Sequence, residues 1–344
     1  MKIAINNEWN KKKYIYLDWN VVLYMYNQRD SKSILDTAMR DLVRTLKERK
    51  KFIFPFSEAH IQDRARKFQE ALREEVKGQF DYAESVNEKY ILVPGRSIKK
   101  DTDLEMCKAS MMECFDDFLE RRRQDELALI KFTATDFSSF TVDVSKIPPD
   151  HPLHIFLQKH SGVVTSSSLS SFVENLFPYI FDDGNAYRNF RNYITKIKVE
   201  EIKKQTLPPD TKLLIDQLLY YMAPMLESKD FKEDELADNW RKICESWFQM
   251  QHKCLTNEIL LKQGYVLLDL HPLFHDKIKN NKNTADNIIR DGNHCFYASK
   301  AEYFVSEDEK TRKKTKLMYK AFGIKTKVVS ISEFVNKFDI MKRR

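Results

Sequence analysis

Acidic side chains delivered at the ends of apolar runs are the residues best placed to do chemistry in this chain. Tyr14-Ile15-Tyr16-Leu17-Asp18-Trp19-Asn20-Val21-Val22-Leu23 is a β-prone run that reaches one carboxylate and passes at once into a second apolar run. Tyr303-Phe304-Val305-Ser306-Glu307-Asp308 repeats that arrangement near the other end, shortly after Asp291. A third run, Phe52-Ile53-Phe54-Pro55-Phe56, leads into Ser57-Glu58-Ala59-His60-Ile61-Gln62-Asp63, which offers two acids. Carboxylates gathered at one place repel one another and raise some of their own pKa values. A divalent cation removes the repulsion, and oxygen ligands suit Mg²⁺ or Mn²⁺. Such an ion activates water and stabilises an in-line phosphoryl transition state, so the pattern predicts a metal site doing phosphate chemistry.

For these acids to meet, the runs must be strands of one sheet, since ligands bind beyond the carboxyl ends of parallel strands. Residues 14–18 read as a buried strand, and 20–50 as helix with a break near Asp30-Ser31. After the strand at 52–56, Ile61, Ala65, Phe68, Leu72 and Val76 predict one long helix from Ser57. Tyr90–Val93 is a short extended piece. Towards the other end, Tyr265–Leu268 reads as a strand and Thr284 to Lys300 as a helix capped by Thr284. Tyr303–Val305 is a strand, 309–322 a helix stopping at Gly323, Thr326–Val329 a strand and Ser332–Phe338 a last helix. This alternation predicts an α/β fold of three layers, α/β/α, around a central parallel sheet. Asp291 shares a helix stripe with Ile288, Cys295 and Ala298, the spacing of a core-packed face, where a bound cation offsets the cost of burying a carboxylate.

The middle of the chain differs. It reads as mostly helical, broken at Pro148-Pro149-Asp150 and Pro208-Pro209-Asp210, with a loop at Ser166–Ser171. The simplest account is one α/β domain built from residues 1–98 and 263–344, interrupted by a helical insertion, 99–262. The insertion would supply substrate selection, a protein-partner surface or a self-association contact.

Composition narrows the function classes. With 344 residues and 42% hydrophobic content, the chain can bury the core such a domain needs. Only 7 residues are glycine, and no P-loop or dinucleotide fingerprint occurs, which excludes those nucleotide-binding classes. The net charge of +7 suits a polyanionic partner, although basic residues are interspersed with many acids. Five cysteines without a CxxC pair read as reduced thiols. With no signal peptide and no membrane-length apolar run, the expectation is a cytoplasmic protein with no membrane partner. His151 with His154, and His271 with His275, have zinc-like spacing but lack a third ligand.

The stretch Leu17-Asp18-Trp19-Asn20-Val21-Val22-Leu23 resembles the opening motif of PIN-domain nucleases, an acid after the first strand with Asn two residues on. Asp291-Gly292-Asn293-His294-Cys295-Phe296-Tyr297-Ala298, followed by Tyr303 to Asp308, resembles the family's closing motifs, and Phe322 to Val329 its last helix–strand step. The resemblance covers roughly residues 12–95 and 265–340. It implies that Asp18, Asp291 and Asp308 are metal-site acids and that Asn20 and Ser306 support them. The second-motif acid is Glu58 or Asp63: family spacing favours Asp63, helix geometry Glu58. It implies a PIN-like, metal-dependent endoribonuclease using Mg²⁺ or Mn²⁺ and leaving 5′-phosphates, with RNA as substrate and DNA open. Toxin-type members add a role in bacterial stress or phage defence. A catalytically inactive PIN-like RNA-binding or scaffold module is the alternative, and a receiver-like domain with Asp18 as phospho-acceptor a more distant one.

Each residue also has a plainer reading. Asp18 could cap a helix, and Asp308 and Glu309 could complement a helix N-terminus with Ser306 as cap. His60 and His294 lie beside candidate acids, where they would orient water or contact phosphate, or serve only as hydrogen-bonded core histidines. Lys11-Lys12-Lys13, Arg121-Arg122-Arg123 and Lys310 to Lys316 fit a nucleic-acid backbone or a solvated helix face equally.

Overall fold

A computed structural model of the chain describes residues 12–66, 68–95, 104–128, 223–249, 254–275 and 285–342, with Ala4–Ile5 and short pieces between 140 and 196. Thr284, His151, Ser166–Ser171 and Pro208-Pro209-Asp210 lie outside the described residues. In chain order the described strands are β1 (Ala4–Ile5), β2 (Ile15–Leu17), β3 (Phe56–Ser57), β4 (Tyr90–Pro94), β5 (Leu104–Lys108), β6 (Phe140–Thr141), β7 (Val163–Val164), β8 (Tyr303–Val305) and β9 (Lys327–Val329). The helices are α1 (Trp19–Asn27), α2 (Ser33–Glu48), α3 (Glu58–Ala65), α4 (Arg73–Asn87), α5 (Met111–Ala128), α6 (Glu233–Phe248), α7 (Asn257–Leu268), α8 (Ala285–Tyr297), α9 (Glu309–Phe322) and α10 (Ile331–Lys342).

The three residues of β2 are buried on both sides, as a central parallel strand must be. Ile15 and Leu17 enter one core with residues of α1, α2, α4, α5 and α10. Tyr14 and Tyr16 enter a second core with α6, α7, α8 and α9. Helices therefore cover both faces. β2 pairs in parallel with β8, and β8 with β9. On the other flank Tyr14 bridges Ile53 in parallel, the Ile15 N–H donating to the Ile53 carbonyl at 2.9 Å. Just beyond that bridge β3 joins β4 in parallel, and β5 and then β1 add antiparallel. Across the molecule the order is β9-β8-β2-β3-β4-β5-β1, two hydrogen-bonded sheets coupled at the Tyr14–Ile53 bridge. All strands from β9 to β4 point the same way, so their carboxyl ends share one edge.

Four sequence expectations change, the first being the strand read at 52–56, which is β3 (Phe56–Ser57) with a single bridge at Ile53. Tyr265–Leu268 is the end of α7, not a strand; Thr256 caps this helix by accepting the Ile259 N–H, and the apolar run is buried against α8 and α9. The single helix expected from Ser57 is two: α3 ends at Ala65, and α4 starts at Arg73 after a short 3₁₀ turn. The apolar spacing runs through the break because Phe68 still packs on Phe115 of α5. Finally, β5 and α5 lie past residue 98 yet continue the sheet and its helical cover. The Schellman-type stop at Gly323 is as expected, with φ +66 in the left-handed region. Among the described residues no helix is long and apolar enough to cross a membrane.

Candidate metal centre

Asp18 is the residue after β2. Its N–H still donates to the Val305 carbonyl (2.9 Å), carrying the ladder one step past the strand and setting its buried carboxylate beside Ser306. Ser306 Oγ donates to Asp18 Oδ2 at 2.7 Å and accepts the Asp308 N–H at 3.2 Å. Asp308 caps α9, its Oδ1 taking the N–H groups of Lys310 and Thr311 at 2.8 and 2.9 Å. Thr311 Oγ1 in turn donates to Asp291 Oδ2 at 3.3 Å. Between Ser306 and Asp308, Glu307 turns the other way, to Arg29, Lys32 and the Ile331 N–H, and this anchors the turn.

Asp63 approaches from α3. Arg290 Nε and His294 Nε2 of α8 reach its two oxygens at 2.9 and 2.8 Å. His294 Nδ1 lies 2.9 Å from the Tyr16 hydroxyl, which is 2.6 Å from Ser57 Oγ. Behind it His60 Nδ1 accepts the Ser57 N–H at 3.0 Å. That leaves the proton on Nε2, which donates to the Leu17 carbonyl at 2.8 Å. Asp18, Asp63 and His294 thus present three ligand atoms all within 4.8 Å of one another. Asp18 and Asp63, with Asp291 and Asp308, line a cleft of about 650 Å³ whose walls also carry Arg64, Arg66, Arg290 and Lys310.

The electrostatics separate the acids. Burial raises Asp18, and neighbouring Asp63 adds to this against relief from His294 and Ser306. Asp291 is driven well above the usual carboxylate range by burial first, then by Asp18, Asp63 and Asp308. For Asp63 burial also acts upward, but His294 and Arg290 outweigh it and its pKa is lowered. His294 is raised: burial works against its charge, and Asp63, Asp18 and Asp291 overcome it. His60, with no carboxylate in contact, is pushed down to about 3 by burial and next by His294.

Of the two second-motif acids, the structure brings Asp63 to Asp18, and Glu58 lies elsewhere. Five residues apart on a helix, the two side chains diverge by about 140°. Glu58 pairs with Arg121 at 3.3 Å in a separate cavity shared with Cys114 and Tyr297. Ile61 lines that cavity too, so the apolar stripe that favoured Glu58 faces α5 rather than the acidic edge. Asn20 is exposed and lines the main cleft. His60 stands behind the cleft, holding Ser57 and Leu17. His271 and His275 bond to the Ser228 and Leu270 carbonyls at 2.9 and 3.0 Å and serve the backbone. Tyr16 and Arg290 were not foreseen. The signal for Tyr16 was its position two residues before Asp18, on the same face of the strand.

Comparison with family models, curated proteins and solved structures gave no match. Function here rests on the site itself. The donor set fits a divalent cation. Asp63 and Asp308 already have positive partners, Arg290 with His294 and a helix N-terminus. Among the described residues Asp291 is met by the Thr311 hydroxyl and Asp18 by the Ser306 hydroxyl and the Asn20 backbone, with His294 nearby, and these are the acids whose pKa is raised. A cation bound in the cleft would supply the missing compensation.

Proposed function

We propose that this chain is a PIN-like, metal-dependent nuclease that hydrolyses RNA phosphodiester bonds, leaving 5′-phosphates. The observation that carries the reading is the meeting of Asp18, Asp63 and His294 within 4.8 Å, and the gathering of Asp18, Asp63, Asp291 and Asp308 in one cleft, at the carboxyl edge of parallel strands. The strand order supports it, with β2 central, β3 and β4 on one side and β8 and β9 on the other. Mg²⁺ or Mn²⁺ held there would supply a nucleophilic water and Lewis-acid stabilisation of the phosphoryl oxygens.

The chain's own groups divide the remaining work. Ser306 fixes the Asp18 carboxylate and, through the Asp308 N–H, the start of α9. Arg290 and His294 hold both oxygens of Asp63. Arg64, Arg66 and Lys310 stand on the walls, where guanidinium and ammonium groups suit substrate phosphates. A mixed RNA pool incubated with Mn²⁺ tests this: wild type should cut it and Asp18→Asn should not. Binding without cleavage by both proteins would leave a binding module, and cutting of DNA alone would reassign the substrate.

A further inference from the structure

We infer that the molecule carries a second polyanion site, a lysine-walled groove for a nucleic-acid backbone at the sheet edge opposite the acids. Lys12, Lys13, Arg44, Lys47, Lys50 and Lys51 line one groove of about 730 Å³. These six cations face only Glu48 and Glu88 among the acids that line it. They come from three separate places, the approach to β2, the last turns of α2 and the turn that follows α2, and so their convergence is a property of the fold. The groove lies where the parallel strands begin; the acids lie where they end. α2 connects the two edges: Asp36 in its first turn bonds Arg29 beside Glu307, and Arg44 and Lys47 are in its last turns. Sixteen helical residues span about 24 Å, so the two sites are separate.

The cations are available to phosphates. Arg44 pairs with Asp41, and Lys13 with Glu302, in exposed contacts of the kind that contribute little and exchange readily. Lys47 is the most engaged, 3.4 Å from Glu88 and donating to the Ser85 carbonyl. Lys12 donates to the Tyr90 hydroxyl. Among the described residues Lys50 and Lys51 have no carboxylate partner. The α2 terminus is a Schellman turn, with the Lys51 N–H on the Leu46 carbonyl and the Lys50 N–H on the Lys47 carbonyl. Lys50 occupies its left-handed position, φ +51, where glycine is cheaper. The chain spends conformational energy to hold a cation on this rim.

The ligand class follows from the side chains. Lysines read phosphate charge and not base edges, so binding should be sequence-independent and alike for RNA and DNA. The flanking aromatics Phe52 and Tyr90 are buried and offer no stacking face. Among the described residues none of the exposed large apolar side chains, Tyr26, Ile34, Val163, Leu273 and Ile289, lines the groove, so the lining carries no anchor of the kind a lipid surface would engage.

The test separates this site from the cleft by using the Asp18→Asn protein in metal-free buffer, with a fluorescent 20-nucleotide single strand of mixed sequence as probe. Arg44→Glu with Lys50→Glu should weaken binding at least about tenfold and flatten the plot of log K against log salt by about 1.4, the share of two phosphate contacts. Lys242→Glu with Lys325→Glu, which makes the same change in net charge at exposed positions away from the groove, should weaken it less than about threefold. Lys50→Gly should bind less tightly while melting higher, since it removes both the charge and the left-handed strain. Equal losses in the two charge-reversed proteins, or no binding at all, would overturn the site. Full competition by millimolar inorganic phosphate would reduce it to a small-anion pocket. Vesicles of phosphatidylserine in phosphatidylcholine, if held through Arg44 and Lys50 while the oligonucleotide is not, would make it a membrane surface and refute the assignment.

Discussion

His294 Nε2 lies 2.8 Å from Asp63 Oδ2, although 231 residues separate the two in sequence. This contact draws α8 onto α3 and sets one acid of the cleft opposite Asp18. Asp63→Asn would leave Arg290 and His294 facing an amide and remove a charge from the candidate centre. Mn²⁺ affinity, measured by calorimetry, should fall at least about tenfold, and manganese-dependent cleavage by about 100-fold or more. Glu58→Gln, in the other cavity, should change both by less than about threefold. Comparable losses in the two proteins would remove Asp63 from its assigned place.

Tyr16 is expected to act as a positioning residue. Its hydroxyl sits between His294 Nδ1 and Ser57 Oγ and touches no part of the cleft directly. Tyr16→Phe keeps the ring in the core and removes only the hydroxyl. Outer partners of this kind are worth about 10–100-fold in metal affinity, so Mn²⁺ binding should weaken within that range. The melting temperature in chelator should fall by only a few degrees. A large loss of fold with unchanged metal affinity in the surviving protein would mark the hydroxyl as structural alone.

The sequence showed the acids clearly because each follows an apolar run that could only be a buried strand or the helix beside it. Asp18 and Asp308 were legible for that reason. The second-motif acid was not, because Glu58 and Asp63 fall on different sides of a two-turn helix. Only the packing of α3 between α5 and α8 decides which side faces the cleft. Tyr265–Leu268 misled for a different reason. Four apolar residues in a row fit a buried strand or a buried helix equally, and the deciding signal was the distant cap at Thr256. Nor could spacing show that Arg290 would neutralise Asp63, since that pair depends on the register between α3 and α8.

The two buried histidines should give stability opposite pH slopes. His60 has an ordinary value of 6.5 and a folded value of about 3, so between those limits the unfolded chain binds more protons than the native one. Stability must then fall as the pH falls through that window, by on the order of 2 kcal/mol at pH 5. His294 is raised; its contribution is complete below 6.5 and is lost as the pH rises through its folded pKa. On going from pH 7 to pH 5, urea titrations should show the stability of His60→Gln changing more favourably than that of wild type, by on the order of 2 kcal/mol. An unchanged difference would mean that His60 is not held neutral.

A buried ionic group ties Arg191, in the middle of the chain, to α9 and the end of α7. Asp269 accepts from Lys314 Nζ at 2.7 Å and from Arg191 at 3.2 Å, with Asp269 fully buried and Lys314 1% exposed. Asp269→Asn would keep both cations and remove the carboxylate between them, at a cost of about 3–5 kcal/mol in equilibrium unfolding. Lys314→Met leaves Asp269 with Arg191 and fills similar volume, so it should cost distinctly less. The reverse order would show that the lysine, rather than the carboxylate, organises the group.

Gly292 explains why a small residue follows Asp291. A Cβ placed there would lie 2.8 Å from the Lys262 carbonyl and 3.5 Å from the Tyr265 ring, so α7 and α8 approach too closely for any side chain. The obstacle on the α7 side is backbone, and a whole helix would have to move. Gly292→Ala should therefore destabilise by about 1–3 kcal/mol despite alanine's better helix propensity. Because the shift occurs one residue from Asp291, it should also weaken Mn²⁺ binding. Gly78 provides the contrast, lying inside α4 with only the Tyr26 hydroxyl at 3.3 Å from such a Cβ. That hydroxyl is the far end of a 42% exposed side chain and can swing aside, so Gly78→Ala should gain about 0.5–1 kcal/mol. Chemical denaturation of both variants, with and without Mn²⁺, checks the pair. If Gly292→Ala were as stable as wild type, the close α7–α8 crossing, and with it the placement of Asp291, would be wrong.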